Sequence, residues 1–238
     1  MKSDRCPPQS DQWVVDRIYR GLEVTDAFLG RLGIPYTMIG GTLLGAVRHG
    51  GLIPWDNDAD LGIRQRDVPE LLAWAKPHLR ARGFDLGYAA FHFKIFPRDG
   101  HQESPCYPFR APAVDIFPMV EEAPGRWVYA HPGAREMWPE FFDDLDFDRL
   151  GRYVFGSLRL AGAPEPSARR YLTRAYGPTW PSEVPFWECT GPDTWEKRTA
   201  VLSEFEPVLP TREELAEPPF LGWLIARSAH SPLVIDTT

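Results

Sequence analysis

The sequence predicts an α+β fold, a mixed sheet flanked by helices, on three observations. Residues 11–32 carry apolar side chains at helical spacing: Trp13, Val14, Ile18, Leu22, Phe28, Leu29 and Leu32. Apolar runs of strand length recur at 34–39, 84–88, 91–96 and 113–119, bounded by glycine and proline. Over 56–63 polar and apolar residues alternate, which sets Asp56, Asp58 and Asp60 on one face of a strand.

Each element follows from local pattern. Residues 1–10 are polar and proline-bearing and read as a frayed arm. The first helix stops at Gly33, with Pro35 shortly beyond. Strand 34–39 then delivers Gly40 and Gly41 at its C-terminal end. Residues 42–49 read as a short helix with Thr42 as N-cap and Gly50-Gly51 as its stop, its free N–H groups turned toward an anion. Asp67 and Pro69 start a helix running to about residue 82, with Leu71, Leu72, Trp74, Ala75 and Leu79 as its apolar side. Pro77 inside it predicts a kink or an early end.

Strands 84–88 and 91–96 pair as a hairpin whose second arm carries Lys94. Residues 97–112 form a proline-rich polar loop of the kind that covers active sites. Strand 113–119 (AVDIFPM) has Asp115 as its only charge. Residues 126–130 are a weak strand, 141–148 have no clear period, and 153–161 alternate as one late strand. A helix over 166–176 turns Ala168, Tyr171, Leu172 and Ala175 inward and ends at Gly177-Pro178. Beyond residue 180 the chain is rich in proline and tryptophan, with weak periods near 195–205. No internal repeat or flexible linker appears, so the expectation is one domain over 11–180 with a C-terminal elaboration, 181–238, packed on it.

Bulk properties narrow the function. A chain of 238 residues buries roughly 70% of its unfolded surface and needs no covalent staples. A net charge of −7 argues against a nucleic-acid binder, since no basic excess exists to displace counterions. The three cysteines, Cys6, Cys106 and Cys189, form no metal or disulfide pattern, so reduced thiols in a cytoplasmic protein are expected. The N-terminal residues have no apolar core of a leader, and no run is long enough to span a bilayer. No basic amphipathic helix argues for membrane contact, although a lipid-linked acceptor leaves peripheral contact open.

The three aspartates carry the chemistry. An acidic turn in solvent is the plain alternative, but these sit in an apolar frame of Ile53, Trp55, Ala59, Leu61 and Ile63. Like charges on one strand face repel, and partial burial raises that cost, so a compensating cation is expected. A calcium loop of the EF-hand type needs glycine at its sixth position; counting from Asp56, that position is Leu61. The reading this favours is a Mg²⁺ or Mn²⁺ site built from the alternating aspartates, with Asp115, from another strand, as the natural third ligand.

Strand, Gly-Gly, short helix, strand with Asp-x-Asp, later strand with one Asp is the plan of the nucleotidyltransferase fold. The stretch GGTLLGAVRHGGLIPWDNDADLGI closely resembles the signature of the LicD and fukutin-related family of phosphotransferases. The likeness continues through AVDIFPM and PSARRYLTRAYGPTW and covers roughly residues 34–180. The chain departs from it in lacking the zinc-binding cysteine insertion of the fukutin-related protein.

The resemblance implies transfer of a phospho-substituent, phosphocholine or a phosphoalditol, from a CDP-linked donor to a sugar hydroxyl of a glycan. In that reading Asp58 and Asp60, the core of the family's pattern, are the primary metal ligands, Asp115 is the third, and Asp56 is either an outer ligand or a strand-end cap. Asp58, Asp60 and Asp115 are then catalytic, and Asp115 also draws the acceptor's proton. The backbone at Gly40, Gly41 and Thr42 approaches the donor phosphates. Arg48 either forks onto phosphate or forms a salt bridge with an aspartate. Lys94 either meets phosphate or faces solvent. His49 is structural rather than catalytic, and Trp55 packs behind the aspartate strand. A nucleotidyltransferase acting from an NTP, or a non-catalytic nucleotide- or glycan-binding domain, are the competing readings.

Overall fold

The computed structural model describes residues 9–102, 105, 108–191, 194–201 and 206–211, giving the backbone alone for 185–191 and 194–198. The expected arm over 1–8 and the part of the C-terminal elaboration from 212 onward lie outside the described residues. Ser10, expected to be frayed, is pinned: its N–H donates to Pro54 O at 2.7 Å and its hydroxyl to Asp56 O at 2.7 Å.

Helix α1 (Gln12–Leu32) buries Val15, Ile18, Tyr19, Leu22, Phe28 and Leu29, each contributing about 1.5–3 kcal/mol when fully covered. Gly33 ends it in the left-handed conformation, φ +66°. Strand β1 (Tyr36–Met38) is shorter than its apolar run. Helix α2 (Gly40–Leu44) begins at the double glycine itself and runs on as one π-helical turn, Gly45–His49. Ile39 occupies the N-cap position, so Thr42 is not the cap.

Strand β2 is Ala59–Arg64, so Asp56 and Asp58 precede the ladder and only Asp60 stands in it. Helix α3 (Val68–Arg80) buries Leu71, Ala75, His78 and Leu79. Leu72 and Trp74, expected on that face, are 47% and 43% exposed, because the inward stripe follows steps of four and three from Leu71. Pro77 neither ends the helix nor shortens it before Arg80.

Hairpin β3 (Phe84–Ala89) and β4 (His92–Pro97) leads to β5 (Val114–Ala123) and β6 (Arg126–Tyr129). Helix α4 (Pro132–Met137) was not legible in the sequence. The single late strand expected over 153–161 is a hairpin, β7 (Gly151–Phe155) and β8 (Leu158–Gly162), whose turn falls at Gly156. Helix α5 (Glu165–Tyr176) is followed by a further hairpin, β9 (Glu183–Gly191) and β10 (Thr194–Val201).

The main sheet runs β1-β2-β5-β4-β3, with β6 alongside the far half of β5. Among the described residues only β2 and β5 pair in parallel; the remaining pairs of this sheet are antiparallel. A parallel pair needs a crossover, here α3 and the β3–β4 hairpin. Its register places Asp60 directly beside Asp115, and Lys94 directly beside Asp115 on the other side. The two carboxylates therefore share one sheet face. Helix α1 covers the opposite face, where its Gly21 lies against Val114, and α3 packs beside it.

The segment after β10 returns to the domain. Val208 N–H donates to Leu52 O at 3.1 Å, and Tyr19 Oη donates to Val208 O at 2.8 Å. No described helix is long and apolar enough to cross a membrane.

Candidate metal centre and adjoining cleft

The alternation of aspartates works through a turn as well as a strand. Asp56 N–H donates to Ile53 O at 2.9 Å, closing a tight turn that brings Asp58 up to the start of β2. Thr42, from α2, accepts the Asp60 N–H on its hydroxyl at 2.7 Å, fixing the strand end against the helix. Ile39 N–H donates to Asp60 O at 3.1 Å from the other side.

Carboxylate oxygens of Asp58, Asp60 and Asp115 lie within 4.8 Å of one another. Asp115 is buried and the other two are partly so. Burial, then the charges of Asp58, Asp115 and Asp56, push the Asp60 carboxyl well above the usual carboxylate range. Burial and the Asp115 charge raise Asp58. Hard oxygen donors crowded together against their own repulsion are what a small divalent cation relieves, so these residues fit such an ion. Asp58, Asp60 and Asp115 thus form an acidic trio suited to a metal.

Asp56 sits beside the trio, not within it. Its carboxyl is hydrogen-bonded to that of Asp58 and accepts the Asn57 N–H at 3.2 Å. Burial and the Asp58 charge push it up to about 7. Of the two roles open to it, outer ligand or strand-end cap, neither is decided by its place before β2 beside Asp58.

Lys94 neither faces solvent nor is placed for phosphate alone. Its Nζ donates to both oxygens of Asp115, at 2.8 and 2.6 Å, and lies 5.3 Å from the centre of the Phe109 ring. Phe109 is a described residue of the 97–112 stretch, and its ring lies against the lysine. Arg48 Nη1 donates to the carbonyls of Trp180 at 2.9 Å and Glu183 at 3.4 Å. Burial lowers the guanidinium to about 10. It thereby ties the turn after α5 to the π-helical segment. His49 is buried, meets Trp55 edge to face at 5.9 Å, and is pushed down to about 3 by burial and the Arg48 charge, which keeps it neutral.

Gly40 N–H is already committed, donating to Tyr171 Oη at 3.1 Å. Tyr171, Tyr129 and Glu140 continue that network: the two hydroxyls are 3.3 Å apart, and Tyr129 Oη donates to Glu140 Oε1 at 3.1 Å. The sequence placed Tyr171 inward but gave it no role. Glu140 borders an aperiodic stretch and carried no signal at all. His92 was also missed, although it stands two residues before Lys94 and hence on the same strand face.

Beside the trio opens a cleft of about 500 Å³. Its lining includes Gly41, Arg48, Trp55, Asp56 and Asp60 together with Tyr176, Trp180, Glu183 and Thr199. Asp60 is therefore the residue shared by trio and cleft.

A mixed sheet that sets an acidic trio across one parallel strand pair, next to a polar cleft, defines a nucleotidyltransferase-like domain. The chain belongs to the family described as LicD/FKTN/FKRP, nucleotidyltransferase domain, which it matches over residues 33–155. It is 31% identical over 164 residues to an uncharacterized protein of Rickettsia prowazekii, covering 68% of this chain and 54% of that protein. Human ribitol 5-phosphate transferase FKRP is 44% identical over 62 residues, 24% of this chain and 12% of that enzyme. Lipopolysaccharide cholinephosphotransferase LicD of Haemophilus influenzae is 50% identical over 40 residues, 17% and 15% of the respective chains. The chain spans about half the length of the rickettsial relatives it matches, 54% and 46%.

Proposed function

We propose that the protein is a metal-dependent transferase that moves a phospho-substituent, of the phosphocholine or phosphoalditol type, from a CDP-linked donor to a sugar hydroxyl. The observation that carries this is the in-register pairing of Asp60 with Asp115, which with Asp58 from the preceding turn groups three carboxylates at the edge of a cleft large enough for a nucleotide donor. Family membership supplies the reaction class, and the names of two matched relatives, a ribitol 5-phosphate transferase and a cholinephosphotransferase, supply the donor type.

Asp58, Asp60 and Asp115 would hold Mg²⁺ or Mn²⁺, which when bound neutralises charge on the transferring phosphoryl oxygens. The chain's own residues do the rest. Lys94 balances Asp115 and holds it against β4. Arg48 holds the 180–183 turn in place and presents a cation in the cleft lining, where donor phosphate is expected. Asp115 remains the proposed acceptor of the hydroxyl's proton.

Incubation with a panel of CDP-linked donors, a panel of sugar-hydroxyl acceptors and Mn²⁺ should release CMP as the phospho-substituent passes to the acceptor oxygen. Release of pyrophosphate from an NTP instead would point to nucleotide transfer, and no product from either panel would defeat the catalytic reading. Arg48→Ala is expected to raise KM for the donor several-fold and to lower the melting temperature by a few degrees, because both carbonyl bonds to the 180–183 turn are lost. An unchanged KM in a destabilised variant would confine Arg48 to the architectural task.

A further inference from the structure

We propose that His92 is a positioning residue for Asp115: its imidazole fixes the orientation in which that carboxylate meets the other two. The proposal rests on the metal reading above and extends it to a residue outside the trio.

His92 opens β4 on the face that carries Lys94, and is 8% exposed. Its ring stacks on Phe117 with centroids 4.4 Å apart and an interplanar angle of 23°. Phe117 is two residues beyond Asp115 on the same strand face, so the stack sets the imidazole beside the carboxylate. Nε2 lies 3.1 Å from Asp115 Oδ2. Neither ring nitrogen makes a well-directed hydrogen bond among the described residues.

That last fact is informative. A buried imidazole with unmet nitrogens is unfavourable for folding, and a phenyl ring would stack on Phe117 equally well. The polar ring gains nothing for the core where it sits; what it does is face Asp115. Lys94 reaches the same carboxylate, but an ammonium on a four-carbon stem follows its partner through many orientations. The imidazole is held rigidly by its stack. Of the two contacts on Asp115, the histidine is the one that can select a rotamer, as outer partners of ligating carboxylates do elsewhere.

The test uses the full chain and Mn²⁺ alone, with binding read from the loss of free Mn²⁺ signal in electron paramagnetic resonance. Wild type should bind and Asp58→Asn should not, which checks the trio independently of His92. His92→Phe keeps the stack and removes the nitrogens. It is expected to weaken Mn²⁺ binding by about 10- to 100-fold, with a melting temperature in chelator no lower than wild type. His92→Gln, which restores a polar group, should recover part of that affinity. Wild-type Mn²⁺ affinity in His92→Phe overturns the proposal, and so does an affinity loss that merely follows equal melting losses in both variants. Absence of binding in wild type itself removes the metal reading and this proposal with it.

Discussion

Asp60→Asn is expected to reduce metal-dependent turnover by at least about a thousandfold while making the metal-free protein more stable. The first effect follows from the shared position of Asp60, at once a member of the trio and part of the cleft wall. Loss of one ligand from three forfeits several kcal/mol of charge stabilisation, and about 4 kcal/mol corresponds to that factor. The second follows from its surroundings: burial and three neighbouring aspartates oppose its ionised form. Its pKa is raised in the folded state, so between the unfolded value near 4 and the folded value the native protein binds more protons than the unfolded chain. Stability of wild type in chelator should therefore rise as pH falls through that window. Asparagine carries no charge there, so the variant should show less of this dependence and melt higher than wild type at neutral pH. Thermal melts with chelator across pH 5 to 8, alongside a turnover assay with Mn²⁺, check both effects. A variant that melts lower than wild type under chelator would mean that Asp60 is a structural anchor, and retained turnover would remove it from the site.

Much of the main sheet was legible because its strands are short apolar runs with clear breaks, and because Asp115 is the only charge within its own run, 113–119. The trio was legible for the same reason: unpaired acid inside an apolar frame demands compensation. What the alternation could not show is that two of its three aspartates lie before the ladder. Period two over three residues looks alike in a strand and in an extended turn, and only the Asp56 to Ile53 bond separates them. Lys94 and Arg48 were read by residue type, yet their partners come from β5 and from the turn after α5, distances in sequence that no local pattern spans. The hairpin of β7 and β8 was merged into one strand because its two-residue turn hides within an apolar alternation. On α3 the stripe was drawn too wide, since Leu72 and Trp74 are apolar but point outward.

The double glycine is where the sequence reading and the structure differ most usefully, and a paired substitution exposes the difference. Gly40 and Gly41 were read together as backbone made bare for phosphate. In the structure they answer to different constraints. Gly40 has φ +53°, and a Cβ there would lie 2.9 Å from Asp60 Oδ2. Gly41 has no such conformation, and its Cβ would lie 2.7 Å from Asp56 Oδ2, a carboxyl outside the trio. Gly40→Ala is thus expected to lose about 1–3 kcal/mol from the left-handed backbone alone, lowering the melting temperature by several degrees. It should also displace Asp60, whose position is set by Thr42 and its neighbours, and cut turnover about a hundredfold. Gly41→Ala asks only that Asp56 rotate, and gains helix propensity of about 1 kcal/mol over glycine, so its melting temperature should stay near wild type. Equal effects of the two substitutions on turnover would restore the reading in which both glycines serve one phosphate. Unequal effects, with Gly40 far the more sensitive, would show that the first glycine exists to let a carboxylate close in.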